Sequence, residues 1–226
     1  TNSGAVTIGK EGSTHYFNGR IDEAAIFNRA LTAQEVSDIY HAAGQGFAGN
    51  TIGGNLIGTN AAGTAAIGNG TGGISVVSSS INTIGGTTAA ERNVIGGNAY
   101  GISLGSSHYN TVLGNYIGLG ADGTTAVGNT GSGVYLSTST YNLFGGDTAG
   151  ERNVVSSNGA YGFNIDSGSH YNTLSGNYIG TDASGTLDRG NTYDGIWVHG
   201  TASYNTIGGD AAGEGNLISG NNLSGV

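Results

Sequence analysis

The chain contains no cysteine, no proline and no methionine among its 226 residues, and each absence excludes something. Without cysteine there is no disulfide framework, no thiolate metal site and no cysteine nucleophile, and the redox compartment stays open. Without proline, a content of 46 glycines does not describe collagen, which needs proline and a strict three-residue period. Without methionine, residue 1 is not a translation start, and no signal peptide is visible. The chain therefore reads as a processed product or a piece of something longer. Charge is scarce as well, at 9% of residues against roughly 25% in an average domain. The balance is acidic, net −9, with Lys10 the one lysine. A phosphate backbone finds almost no cations here, so nucleic acid is not an expected partner. The same shortage disfavours an anionic membrane surface. No run approaches the roughly eighteen apolar residues of a membrane span, so no membrane insertion is expected.

What is present is repetition. One sequence recurs as Asn50-Thr-Ile-Gly-Gly, Asn82-Thr-Ile-Gly-Gly, Asn110-Thr-Val-Leu-Gly, Asn142-Leu-Phe-Gly-Gly, Asn172-Thr-Leu-Ser-Gly and Asn205-Thr-Ile-Gly-Gly. The spacings are 32, 28, 32, 30 and 33 residues. A second marker, Gly followed by apolar-x-apolar, falls once in each interval, at Gly73, Gly101, Gly133, Gly162 and Gly195. Two kinds of interval alternate. One carries a Gly-Thr-x-x-x-Gly-Asn loop, at 63–69, 123–129 and 185–191; the other carries Glu91-Arg-Asn-Val-Ile, Glu151-Arg-Asn-Val-Val and Glu214-Gly-Asn-Leu-Ile. The higher repeat is thus two intervals long.

Each interval offers three short segments of alternating polarity, separated by Gly, Asn, Ser and Thr. Such segments are strands with one face inward, and the intervening Gly and Asn supply the left-handed backbone of tight corners. A single segment cannot bury its apolar face. Stacking equivalent segments about 4.8 Å apart buries that face continuously and pairs the backbone in parallel. The expected fold is therefore all-β, a right-handed parallel β-helix of about six coils over residues 47–226, preceded by a short strand-plus-helix segment over 1–46. Stacking also aligns side chains. Tyr109, Tyr141, Tyr171 and Tyr204 fall in one column beginning at Ile81, and Asn110, Asn142, Asn172 and Asn205 in another. Both columns read as structural ladders at a corner.

The Asn-Thr-Ile-Gly-Gly, Arg-Asn-Val-Ile and Gly-Asn-Tyr-Ile-Gly pattern over about 48–226 resembles the parallel β-helix repeats of large secreted or surface-anchored bacterial proteins. The pectate-lyase-like superfamily shares that architecture. The resemblance implies an extracellular or cell-surface location. Residues 1–46 break the pattern. Val6-Thr-Ile-Gly and 16–27 read as strands, and Thr32 with Glu35 is a capping box opening a helix that carries Val36, Ile39 and Tyr40 on one face. The string from Phe17 to Val36 resembles the C-terminal end of laminin-G/concanavalin-like jelly rolls, domains that bind glycans or serve as surface modules, often with calcium. Forty-six residues do not build the two sheets of such a domain, so no ligand residue is carried over to this chain.

The β-helix resemblance also raises polysaccharide lyases and hydrolases, which need clustered acids with a base. Glu91-Arg92 and Glu151-Arg152 recur with the coil, which reads as a structural salt bridge. One cluster does not recur. Asp166 and His199 each lie four residues after a coil glycine and so share a column, while Tyr135, Asn164 and Trp197 share the column two residues after it. Aromatic rings beside an acid are the groups that stack on a sugar face. No catalytic residue is assigned. No metal or other cofactor is expected: the segment at Asp182 lacks the calcium-loop spacing and its closing Glu, and His108 and His170 lie two coils apart. The sequence thus ranks a structural or adhesive solenoid first, self-associating through open coil ends into a filament. A glycan-binding module using Trp197, Tyr135, Asn164, Asp166 and His199 is the alternative, and a polysaccharide-degrading enzyme comes last.

Overall fold

The computed structural model describes residues 49–226 together with Lys10–Glu11 and His15–Tyr16. The chain divides into two units, Thr1–Phe47 and Ala48–Val226. In the first, β1 (Lys10–Glu11) pairs antiparallel with β2 (His15–Tyr16), Lys10 opposite Tyr16. The rest of the expected strands, and the capped helix from Thr32, lie outside the described residues.

The second unit is a parallel β-solenoid with three short strands per coil. The first coil holds β3 (Thr51–Ile52), β4 (Leu56–Ile57) and β5 (Gly72–Val77); the second holds β6 (Thr83–Gly85), β7 (Val94–Ile95) and β8 (Tyr100–Gly105). The third holds β9 (Thr111–Leu113), β10 (Tyr116–Ile117) and β11 (Val134–Ser137); the fourth holds β12 (Leu143–Gly145), β13 (Val154–Val155) and β14 (Phe163–Ile165). The fifth holds β15 (Thr173–Ser175), β16 (Tyr178–Ile179) and β17 (Ile196–Val198), and the sixth contributes β18 (Thr206–Ile207) and β19 (Leu217–Ile218). Equivalent strands stack into three parallel sheets, β3-β6-β9-β12-β15-β18, β4-β7-β10-β13-β16-β19 and β5-β8-β11-β14-β17. There is no helix among the described residues of this unit.

Register explains the core. In the first sheet Ile52, Ile84, Val112, Phe144, Leu174 and Ile207 form one inward column. In the second, the column is Ile57, Ile95, Ile117, Val155, Ile179 and Ile218. The third sheet adds two columns, Ile74 to Ile196 and Val76 to Val198. The central members of all four columns are fully buried, each such side chain stabilising the fold by about 1.5–3 kcal/mol. Phe144 and Phe163 meet edge to face across the interior at 5.4 Å. The marker glycine at or just before the start of each third-sheet strand has a packing reason. A Cβ on Gly133 would lie 2.5 Å from Val155 Cγ1 and 2.9 Å from the Gly162 carbonyl oxygen.

All three corners are tied by asparagine. Asn50, Asn82, Asn110, Asn142, Asn172 and Asn205 form one ladder; in each step the backbone N–H and the Nδ2 of one residue both donate to the Oδ1 of the next. A second ladder runs through Asn55, Asn93, Asn115, Asn153, Asn177 and Asn216 in the same pattern. A third runs through Asn69, Asn98, Asn129, Asn158, Asn191 and Asn221. The remaining Nδ2 hydrogen reaches a carbonyl of the preceding coil, as in Asn153 to Val112 at 2.8 Å and Asn177 to Phe144 at 2.9 Å. No buried side-chain polar atom among the described residues lacks a partner. Tight bends place backbone donors and acceptors where no strand can pair them, and the asparagines satisfy them.

Outside the first ladder stands the tyrosine column. Tyr109, Tyr141, Tyr171 and Tyr204 stack at 5.0 Å with ring planes within 7° of parallel. All four, and Ile81 below them, have left-handed backbones with φ between 56° and 64°. That conformation turns the ring outward while the following asparagine turns inward.

The two-interval repeat is visible in the loops. On the first, third and fifth coils the loop between second- and third-sheet strands closes through bridges Thr59–Ala66, Leu119–Ala126 and Thr181–Asp188. Successive loops touch directly, the Ala121 N–H donating to Gly63 and the Ala183 N–H to Gly123, both at 2.9 Å. On the alternate coils the glutamate and arginine do not form the expected salt bridge. Glu91 Oε2 accepts from the N–H and hydroxyl of Thr88, closing its own turn. Arg92 instead lies over the Tyr116 ring at 4.2 Å and donates to the Gly114 carbonyl. Glu151 and Arg152 repeat this with Thr148, Tyr178 and Gly176. A short carboxylate reaches the nearer backbone donor first, and the guanidinium gains more over a ring one coil away.

Candidate functional site

The three faces of the solenoid differ. The outward column of the first sheet is Thr51, Thr83, Thr111, Leu143, Thr173 and Thr206. On the second sheet Val94 and Val154 are buried, and the arginines cover Tyr116 and Tyr178. The third sheet presents aromatic rings. Its register aligns Ser75, Ser103, Tyr135, Asn164 and Trp197 in one outward column, and the following position brings Asp166 beside His199.

These five residues, singled out in the sequence, converge. The Tyr135 hydroxyl donates to Asp166 Oδ2 at 3.1 Å. His199 Nδ1 lies 3.6 Å from Asp166 Oδ1, and its Nε2 lies 2.9 Å from Asn164 Oδ1. The Ser167 N–H donates to the same carboxylate and is the main reason its pKa is held below the ordinary aspartate value. Burial pushes the Tyr135 phenol above its ordinary value, with the neighbouring Asp166 adding to the shift. The carboxylate is thereby kept ionised and fully engaged. The two imidazole nitrogens thus face Asp166 and Asn164.

Three further rings, not singled out for the site in the sequence, belong to this face. Trp197 stacks against Tyr161 at 4.5 Å and against His199 at 3.6 Å. Tyr161 in turn meets Tyr193 at 5.3 Å, and Tyr100 meets Tyr135 at 5.6 Å. Tyr100 and Tyr161 each sit just before a coil glycine, in Ala99-Tyr-Gly and Ala160-Tyr-Gly, a recurrence readable only once the coils are aligned. Tyr100, Tyr193 and Trp197 are each about two-fifths exposed, at 42%, 43% and 37%.

The ladder residues Tyr109, Tyr141, Tyr171, Tyr204, Asn110, Asn142, Asn172 and Asn205 lie at the corners, apart from this cluster. His108 and His170 sit beside the tyrosine column, their Nδ1 atoms engaged by Thr140 and Ser203 at 2.8 Å.

Compared with known proteins, residues 48–223 match the family described as "Periplasmic copper-binding protein (NosD)". Residues 1–37 match the "Concanavalin A-like lectin/glucanases superfamily" through its laminin-G model. No curated protein and no solved structure matches the chain. Among the described residues the copper in the first family's description finds no fitting donor set. The sequence has neither cysteine nor methionine, the described histidines His108, His170 and His199 are engaged by different neighbours, and no three His, Asp or Glu side chains cluster among the described residues. With a match that spans most of its length and a stack of parallel coils beneath it, the chain belongs to the NosD β-helix family.

Proposed function

We propose that residues 48–226 are an exported structural or adhesive β-solenoid, a stiff stack of coils and not an enzyme. The observation that carries this is the set of three asparagine ladders, which run without a break from the first coil to the sixth. Every coil is thereby locked to its neighbours by directional bonds as well as by burial, which is the construction of a rod. Electron microscopy of the purified chain across a dilution series tests the reading. Particles of constant width that resist mild denaturant support it, and the same series decides whether copies join end to end into filaments. Turnover of a polysaccharide by the chain contradicts it.

A second reading, a glycan-binding module, is favoured by the exposed rings of the third sheet beside Asn164 and Asp166. Aromatic rings rimmed by amide, phenol and carboxylate groups match the apolar faces and hydroxyls of a sugar. Retention of the chain on immobilised glycans, weakened in Trp197→Ala, is the expected result. An unchanged profile in that variant removes this surface from consideration.

A further inference from the structure

The rings of the third sheet are not scattered; they follow the double-coil repeat. Tyr100 and Tyr161 occupy the same position two coils apart, and so do Tyr135 and Trp197. Each member of the first set touches the member of the second set one coil further on, Tyr100 with Tyr135 at 5.6 Å and Tyr161 with Trp197 at 4.5 Å. The face thus carries two equivalent aromatic pairs, displaced along the solenoid axis by two coil rises, about 9.6 Å at the usual strand spacing. Between them at the surface lies Asn164, with Asp166 to one side. The other two sheets show no such pattern: one is a threonine face and the other is covered by arginine and loop.

We propose that the two aromatic pairs are successive subsites for one extended, uncharged polysaccharide running parallel to the solenoid axis. The inference rests on the glycan-binding reading above and specifies its ligand. Two coil rises are close to the length of a disaccharide unit in an extended chain, so equivalent sugars two apart meet equivalent rings. Charge selects the polymer class. The third-sheet face contains no lysine or arginine, and its charged groups are Asp166 and Asp194 with His199 as a titratable neighbour. An acidic polysaccharide is repelled by both carboxylates and finds no cation. A polymer of amino sugars meets two carboxylates that are already engaged, Asp166 by Ser167, Tyr135 and His199, and Asp194 by the Ser224 N–H. Between the pairs lies the Asn164 amide, whose Oδ1 meets His199 and whose Nδ2 is the group offered to a neutral hydroxyl.

The experiment is calorimetric titration of the full chain with neutral β-linked gluco- and manno-oligosaccharides of increasing length. Polygalacturonate and chitosan serve as the anionic and cationic counterparts. Affinity for a neutral series should rise with length until both pairs are spanned. Tyr100→Ala and Trp197→Ala should each weaken the long oligomer by about three- to tenfold, the loss expected for one aromatic contact. Neither variant should change the melting temperature of the solenoid by more than a few degrees. A disaccharide bound as tightly as the long oligomer, or a loss confined to Trp197→Ala, overturns the two-subsite arrangement while leaving glycan binding intact. Preference for polygalacturonate or chitosan overturns the uncharged class. Binding of none of these polymers overturns both the inference and the glycan reading beneath it.

Discussion

Replacement of Asn153 by alanine isolates what a ladder residue contributes. Asn153 is fully buried at the centre of its ladder. Its Oδ1 accepts from the Asn115 N–H at 3.1 Å and from Asn115 Nδ2 at 3.0 Å. Its Nδ2 donates to the Val112 carbonyl at 2.8 Å and to Asn177 Oδ1 at 3.0 Å. Truncation removes all four bonds, but not all four partners suffer equally. Asn115 Nδ2 keeps the carbonyls of Ile84 and Leu113, and Asn177 Oδ1 keeps the Asn153 N–H. The Asn115 N–H and one acceptor site on Val112 are left without a side-chain partner in the interior. At about 1–3 kcal/mol for each stranded buried group, the loss should be about 4 kcal/mol. Urea unfolding followed by circular dichroism measures it, and amide exchange in the third and fourth coils shows whether the loss is local. Thr111→Ala, on the half-buried outward column of the first sheet, is the comparison and should stay within about 1 kcal/mol of the parent. If Asn153→Ala matches Thr111→Ala, the ladders are ornamental, and the rod reading loses its support.

Gly133→Ala should destabilise the fold by about 2 kcal/mol through overpacking against Val155, whereas Gly70→Ala, which has nothing within 4 Å of its new Cβ, should be close to neutral; thermal melting distinguishes them. The loop carboxylate of Asp122, held down to about 2 mainly by the Thr125 hydroxyl and then by backbone N–H groups of the same turn, stabilises its loop above the unfolded aspartate range. That contribution should vanish as pH falls from about 4 toward 2, and Asp122→Asn should flatten the acid limb when exchange of the Thr124 and Thr125 amides is followed. Ile81→Tyr should raise stability by about 1 kcal/mol in chemical denaturation, because it removes a β-branched residue from a left-handed position and extends the ring column onto Tyr109. Arg152→Ala, which removes the guanidinium lying 3.9 Å over the Tyr178 ring, should cost about 1 kcal/mol in the same assay.

The solenoid was legible because its repeat is a statement about stacking. An apolar side chain recurring every thirty or so residues has one place to go, against its own copies, and the two-interval alternation announced which coils carry the long loop. The lone non-recurring cluster was legible by counting from the coil glycines, since Asp166 and His199 share an offset and parallel pairing makes equal offsets neighbours. Other features were decided only by the folded chain. Arg92 and Glu91 are adjacent in sequence, yet their partners are Tyr116 on the next coil and Thr88 in their own turn, a choice set by reach and backbone geometry. The second and third asparagine ladders were present as Arg-Asn, Gly-Asn and Ser-Asn pairs, but their common role requires knowing that each marks a corner. The aromatic pairs are a diagonal relation, Tyr100 with Tyr135 and Tyr161 with Trp197, joining different offsets on successive coils. A one-dimensional repeat determines what lies above and below each residue. Only the tertiary structure determines how side chains lean across the sheet to meet, because that depends on rotamers and on the width of each face.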